Sequence, residues 1–138
     1  MNLSNEFNPV PKPSFKKAKS RKKRNEISKQ EYQRAVEEFG DCCVLCKRHP
    51  IEMHHVRFRS QGGRGTFRNL MPLCKKHHVM AHTSRPLADQ LRADREQKYG
   101  KWYGADRHDL YMHGLIDDST FESFENFMLR EERKYEQS

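Results

Sequence analysis

The spacing of cysteines and histidines between residues 43 and 82 constrains this chain more than any other feature. Cys43-x2-Cys46 is followed 28 residues later by Cys74-x2-His77, and His78-x3-His82 begins at the next position. Two thiolates with two residues between them, answered by a second pair at that distance, have the spacing of a closed tetrahedral zinc site. Each pair sits on a tight turn, a knuckle, whose side chains converge on one ion. Cys42 is the odd thiol out; a Cys42-x3-Cys46 pairing is the less usual alternative. A second ligand set is interleaved with the first. His78 and His82 are four apart, so on a helix they project from one face, as paired imidazoles do when they grip a metal. A third nitrogen from His54 or His55 makes three protein ligands and leaves a position open. Catalytic metal sites keep such a position, whereas structural ones are closed.

A chain of 138 residues has room for one modest domain plus arms. With 34% apolar and 33% charged residues its core is small, and a structural zinc would supply the staple that small cores need. No apolar run approaches the length of a signal peptide or membrane span, so no membrane is expected. Four cysteines, at least three claimed by metal, point to a reducing compartment, the cytoplasm, rather than a disulfide scaffold.

Residues 43–82 resemble the HNH endonucleases, or ββα-metal (His-Me finger) nucleases, of the zinc-knuckle type. The strand reads Ile51-Glu52-Met53-His54-His55-Val56, the loop carries Gly62-Gly63, Asn69 is followed by Leu70, and His78-x3-His82 closes the motif. His77 stands where that family usually has a fourth cysteine, and imidazole is an ordinary zinc ligand. The resemblance implies a small ββα-metal core stapled by structural zinc on Cys43, Cys46, Cys74 and His77; with the flanking helices and disordered basic N-terminal arm read from the residues below, the fold expected is α+β. It implies that His54, His78 and His82 bind a catalytic divalent ion and that His55 is the general base, oriented by a hydrogen bond from Asn69. A neutral imidazole suits that task near neutral pH. The implied reaction is hydrolysis of DNA phosphodiesters to 5′-phosphate and 3′-hydroxyl ends. Three imidazoles favour zinc, nickel or manganese, while phosphate oxygens from substrate keep magnesium open. The resemblance also points to bacteria and their phages.

Charge is uneven along the chain. Residues 1–40 carry ten basic and five acidic side chains, residues 41–104 thirteen and five, and residues 105–138 four and nine. The polyanion-binding part is therefore the core and its upstream arm. Arg57, Arg59, Arg64 and Arg68 flank the glycine loop, and Lys75 and Lys76 open the last metal helix; these six are the expected nucleic-acid contacts. Three prolines and the run from Lys16 to Arg24 mark residues 1–25 as a disordered arm. That arm is either a salt-sensitive nucleic-acid contact or an import signal, and the first fits the rest of the chain.

The organisation expected is an arm (1–25), a nuclease core with a leading helix (26–85) and a helical C-terminal extension (86–138). Ser28-x2-Glu31 reads as a capping box before an apolar face of Tyr32, Ala35, Val36 and Phe39, stopped by Gly40. Residues 51–57 read as a strand, 58–68 as a loop and 75–83 as the metal-bearing helix. A polar helix from Pro86 to about Tyr99 has little to bury. Trp102 and Tyr103 either stack on a base or plug a core edge, and His108 and His113 read as structural. The acidic helix opened by Ser119-x2-Glu122 is left three uses: packing on the core, binding a protein partner, or shielding the basic groove. Two function classes follow, a metal-dependent DNA endonuclease or a non-catalytic, zinc-stabilised nucleic-acid-binding protein. A narrower variant keeps the enzyme and makes branched DNA or RNA the substrate.

Overall fold

A computed structural model of the protein describes residues 19–136. Its centre is a two-stranded antiparallel hairpin of β1 (Glu52–His55) and β2 (Leu70–Leu73), in register from Glu52↔Leu73 to His55↔Leu70. Helix α3 (Lys75–Thr83) leaves the end of β2 directly, which completes a ββα unit over the span read from the sequence. Strand β2 is buried along its whole length. Pro72 has no N–H for the ladder, but its carbonyl accepts the Val44 N–H at 3.1 Å and so docks the knuckle against the hairpin. The fold is α+β, with this small sheet wrapped by helices.

The hairpin loop needs glycine at two positions. A β-carbon on Gly63 would sit 1.8 Å from the Arg57 carbonyl oxygen, and one on Gly65 would sit 2.0 Å from the Glu26 carbonyl oxygen. These contacts press the loop against the end of β1 and against the chain that enters the core. Asn69 braces the same loop: its Oδ1 accepts the Arg57 N–H at 2.8 Å, and its Nδ2 donates to the carbonyls of Arg57 and Arg64.

Helices α1 (Arg21–Asn25) and α2 (Lys29–Phe39) precede the knuckle. Ser28 Oγ accepts the Glu31 N–H, but the Glu31 carboxylate, expected to return the bond, accepts the Phe67 amide instead. Ala35 is buried and Tyr32, expected beside it, is 38% exposed. The arm drawn to residue 25 is corrected at its end: residues 21–25 are helical, and Arg24 is fastened to Asp106 and Asp109. The expectation for residues 1–18 lies outside the described residues.

The C-terminal extension packs on the core. Helix α4 (Arg85–Tyr99), expected to bury little, buries Ala88, Leu91, Arg95 and Tyr99, which recur at helical spacing. Helices α5 (Arg107–Met112) and α6 (Phe121–Glu136) close a separate cluster of Ala105, Leu110, Ile116, Phe124, Phe127 and Met128. Trp102 packs against that cluster and Tyr103 lies in the main core, so the aromatic pair plugs the core edge. Glu125 and Glu132 on α6 pair with Arg68, and Glu125 also with Arg34. Packing is thus the use observed for the acidic helix. Among the described residues no helix is long and apolar enough to cross a membrane.

Candidate active site

The closed ligand set is assembled as its spacing required. Ligand atoms of Cys43, Cys46, Cys74 and His77 all lie within 4.8 Å of one another. His77 Nδ1 is 3.5 Å from Cys43 Sγ and 3.2 Å from Cys74 Sγ, and the sulfurs of Cys46 and Cys74 are 3.6 Å apart. Around a tetrahedral zinc, with Zn–S near 2.3 Å and Zn–N near 2.0 Å, such separations are roughly 3.4–3.8 Å. The donor set therefore fits zinc. Burial pushes the Cys43 thiol up, but backbone N–H groups of Cys74, Leu45 and Cys46 outweigh it and bring it down to about 6. Cys42 is not in the cluster, so the Cys43 pairing is the one adopted.

The second set is built from β1 and α3. His54 is 1% exposed, and its ring faces His78 and His82 at 5.1 and 5.0 Å between centroids. Both of its ring nitrogens are buried without a hydrogen-bond partner. Nε2 of His78 and Nε2 of His82 are 3.3 Å apart. Nitrogens about 2.0–2.1 Å from one tetrahedral ion stand roughly 3.3–3.4 Å apart, so the three imidazoles fit a shared divalent cation. Burial, then the charges of His78 and His82, push His54 down to about 3, which keeps its ring neutral and able to ligate. Burial also lowers His82.

Two neighbours orient this set. Glu52 Oε1 lies 3.3 Å from His78 Nδ1. Accepting a proton there leaves the Nε2 lone pair of His78 turned toward His82, the service a carboxylate gives a metal-ligating histidine. Phe58 stacks on the His82 ring at 4.8 Å and in turn carries the Arg92 guanidinium at 4.5 Å. Arg92 Nε donates to the Val56 carbonyl, and one of its terminal nitrogens is buried without a partner. A cleft of about 440 Å³ opens beside the set, lined by Met53, His55, Phe58, Arg59, His78 and His82.

His55 reaches the cleft from the opposite side of the strand to His54, as alternation along a strand requires. Its Nε2 is 2.7 Å from the Asn25 carbonyl oxygen. A carbonyl only accepts, so Nε2 carries the proton and Nδ1 keeps its lone pair. Burial holds the ring below the usual histidine range, against the opposing pull of the Asn25 carbonyl. Asn69 does not make the bond expected of it. Its amide is spent on Arg57 and Arg64 backbone groups, and the group on His55 is the Asn25 carbonyl.

The six basic side chains expected on nucleic acid divide. Arg64 is buried and binds Asp109 through two nitrogens and Asn25 Oδ1 through the third. Arg68 is 2% exposed and is spent on Glu125 and Glu132. Both are corrected from phosphate contacts to internal ion pairs. Arg57 is half-buried, its guanidinium 5.2 Å from the Tyr103 ring centre. Arg59, Lys75 and Lys76 are exposed, and Arg59 lies on the cleft.

Residues 43–84 match the family model described as HNH endonuclease. This segment is similar to an HNH domain. No curated protein and no solved structure matches the chain. The matched segment holds both ligand sets, His55 and Asn69, and its likeness is to a nuclease-type domain. Three participants escaped the sequence reading. Glu52 had a signal, since it is two residues from His54 on the same strand face. Arg92 was hidden in a polar helix. Asn25 contributes a backbone carbonyl from outside the matched segment, and no side-chain pattern marks that.

Proposed function

We propose that this chain is a metal-dependent endonuclease that hydrolyses DNA phosphodiester bonds with His55 as general base. The observation that carries the reading is one cleft holding both parts of such chemistry. Three imidazoles converge beside it, His54 with both ring nitrogens unpartnered and the Nε2 atoms of His78 and His82 3.3 Å apart, and a fourth, His55, is held with its Nδ1 lone pair free. A module that only bound nucleic acid would need neither part.

His54, His78 and His82 would hold one divalent ion, which supplies Lewis-acid stabilisation of the charge that builds on the phosphoryl and departing 3′ oxygens. An all-nitrogen donor set favours zinc, nickel or manganese, and magnesium is admitted where substrate adds oxygens. His55 Nδ1 takes the proton of the attacking water, and the Asn25 carbonyl stabilises the imidazolium that results. The products are 5′-phosphate and 3′-hydroxyl ends. Asn69 acts on this chemistry only through the loop it braces. Arg59, Lys75 and Lys76 contact the phosphate backbone, together with Arg21, Lys22 and Lys23, which are exposed on α1. Cys43, Cys46, Cys74 and His77 bind a structural zinc that ties α3 to the knuckle.

The test is incubation of the purified protein with supercoiled plasmid, with EDTA or with added magnesium, manganese, nickel or zinc. Metal-dependent nicking or linearisation that disappears in His55→Ala, with zinc content and helicity unchanged, is the expected result. Tight, salt-sensitive binding without cutting under every metal would return the chain to the binding class.

A further inference from the structure

The catalytic base, on the reading above, is held by a residue that precedes the matched segment, and that residue is held from beyond the segment. We infer that the start of α5 positions His55, through Arg64, Arg24 and Asn25, so that the C-terminal extension completes the active site.

The chain of contacts is continuous. His55 Nε2 donates to the Asn25 carbonyl at 2.7 Å. The Asn25 side chain is buried and both of its polar atoms are bonded: its Oδ1 accepts from Arg64 at 2.8 Å, and its Nδ2 donates to the Arg59 carbonyl at 3.2 Å. Arg64 passes on to Asp109 by a two-nitrogen pair at 2.9 and 3.0 Å. Arg24, next to Asn25, forks onto Asp106 through two bonds of 2.7 Å and reaches Asp109 at 2.6 Å. Its own carbonyl accepts the Gly65 N–H at 3.1 Å. Asp106 caps α5 and exchanges bonds with Asp109, so the two carboxylates are fixed by the helix they start.

The orientation of an imidazole depends on a partner that stays put. The Asn25 carbonyl lies in a five-residue helix at the edge of the described chain, too short to hold itself in water. What holds it is the pair of guanidiniums on either side, both anchored on α5. Bidentate guanidinium–carboxylate pairs fix direction as well as distance. Release of either clamp frees Asn25, and with it the bond that keeps the proton on Nε2 and the lone pair on Nδ1. Asp109 bonds Arg24, Arg64 and Asp106, none of which belongs to either ligand set. It is a positioning residue, and groups of that kind typically shift activity by about 10–100-fold.

Two variants of the full, zinc-loaded chain test this, Asn25→Ala and Asp109→Asn, with their combination. Nitrogen-15 spectra of the His55 ring report which nitrogen is protonated, without any need for turnover. Single-turnover cleavage, and duplex affinity measured with no cleavage metal added, separate the rate from binding. Wild-type protein is expected to show His55 protonated at Nε2. Each variant is expected to mix the two tautomers and to cut roughly 10–100-fold more slowly, with duplex affinity within about twofold and zinc retained. The double variant should be no slower than the worse single one, because both act through one path. Unchanged tautomer and unchanged rate, whatever the melting temperature does, would overturn the inference and leave the cluster purely structural. If Asp109→Asn does not fold, Asn25→Ala decides alone, since it removes one amide and no charge. If wild-type protein cuts nothing while the tautomer responds as expected, the positioning network stands and the nuclease reading falls.

Discussion

His77 and His78 are neighbours on α3 and serve two different ligand sets. His77 closes a cluster of three sulfurs and one nitrogen that links the helix to the knuckle. His78 joins His54 and His82 in a set of three that fronts a cleft. The first set has four donors, a full tetrahedral complement; the second has three among the described residues. One helix can serve both because successive residues on it point about 100° apart. On the proposed reading one set serves stability and the other chemistry, so perturbing each should give opposite results.

The largest effect is expected at the closed set. Cys43→Ser should cost the chain one zinc and its cooperative fold, because structural zinc binding is folding free energy, about 10–16 kcal/mol in small zinc peptides. Metal analysis and circular dichroism of the purified variant check it; a folded Cys43→Ser protein would remove the distinction between the sets. His82→Ala belongs at the other pole. It should retain the structural zinc and most of the melting temperature, lose the second metal, and cut at least about 100-fold more slowly. A mild chelator should mimic His82→Ala reversibly, and only a strong one should mimic Cys43→Ser.

The ligand sets were legible because they are written in side-chain chemistry at short spacing, and spacing survives folding. So were β1, α3 and the glycine loop. The arginines were not legible. A guanidinium fork suits a carboxylate as well as a phosphate, and the acids that claim Arg64 and Arg68 lie 45 to 64 residues further along. The burial of α4 was written at positions 88, 91, 95 and 99, but Arg95 among them disguised the stripe. Arg95 is tolerated inside because its guanidinium donates to the Arg68 carbonyl and lies 3.8 Å from the Phe39 ring centre. The partner of His55 is a main-chain atom of a segment read as an arm, which no residue identity encodes.

That misreading of the arginines gives the third prediction. Arg68→Ala should leave plasmid binding unchanged and destabilise the fold by about 3 kcal/mol, because it strips a buried charge pair of one member. A thermal melt beside a binding titration checks both halves; weakened binding with unchanged melting would restore Arg68 to the DNA surface.

Acid should separate the two regions by pH window. Burial alone would raise Glu125 and Asp109, but Arg68 and Arg34 hold the first below the usual carboxylate range and Arg64 and Arg24 hold the second well below it. Their folded values are depressed, so they contribute stability that is present above about pH 4 and lost as pH falls through the folded values. His54 runs on a different scale. Its folded value is near 3, so below about 6.5 the unfolded chain takes up a proton that the folded chain refuses. In protein stripped of metal at the open set, stability should therefore begin to fall below about pH 6.5. His54→Asn should shrink that first decline, leaving the smaller share that His55 and His82 contribute through their own lowered values, and should leave the later one, below about pH 4, in place. Denaturant melts at half-unit steps of pH resolve the two phases.

The smallest effect is expected at Arg59, which is exposed at the cleft and forms no internal ion pair among those described. Its side chain gives the fold little, since its backbone carbonyl makes the contact to Asn25. Arg59→Ala should leave the melting temperature and both metals unchanged and weaken duplex binding about equally for all sequences. The slope of log affinity against log salt should become shallower by about one, the signature of one lost phosphate contact. An unchanged slope would mean that backbone contacts on this side of the cleft come from Arg21, Lys22 and Lys23 on α1. The substrate would then be gripped from the helix that also supplies the carbonyl to His55, and not from the hairpin loop.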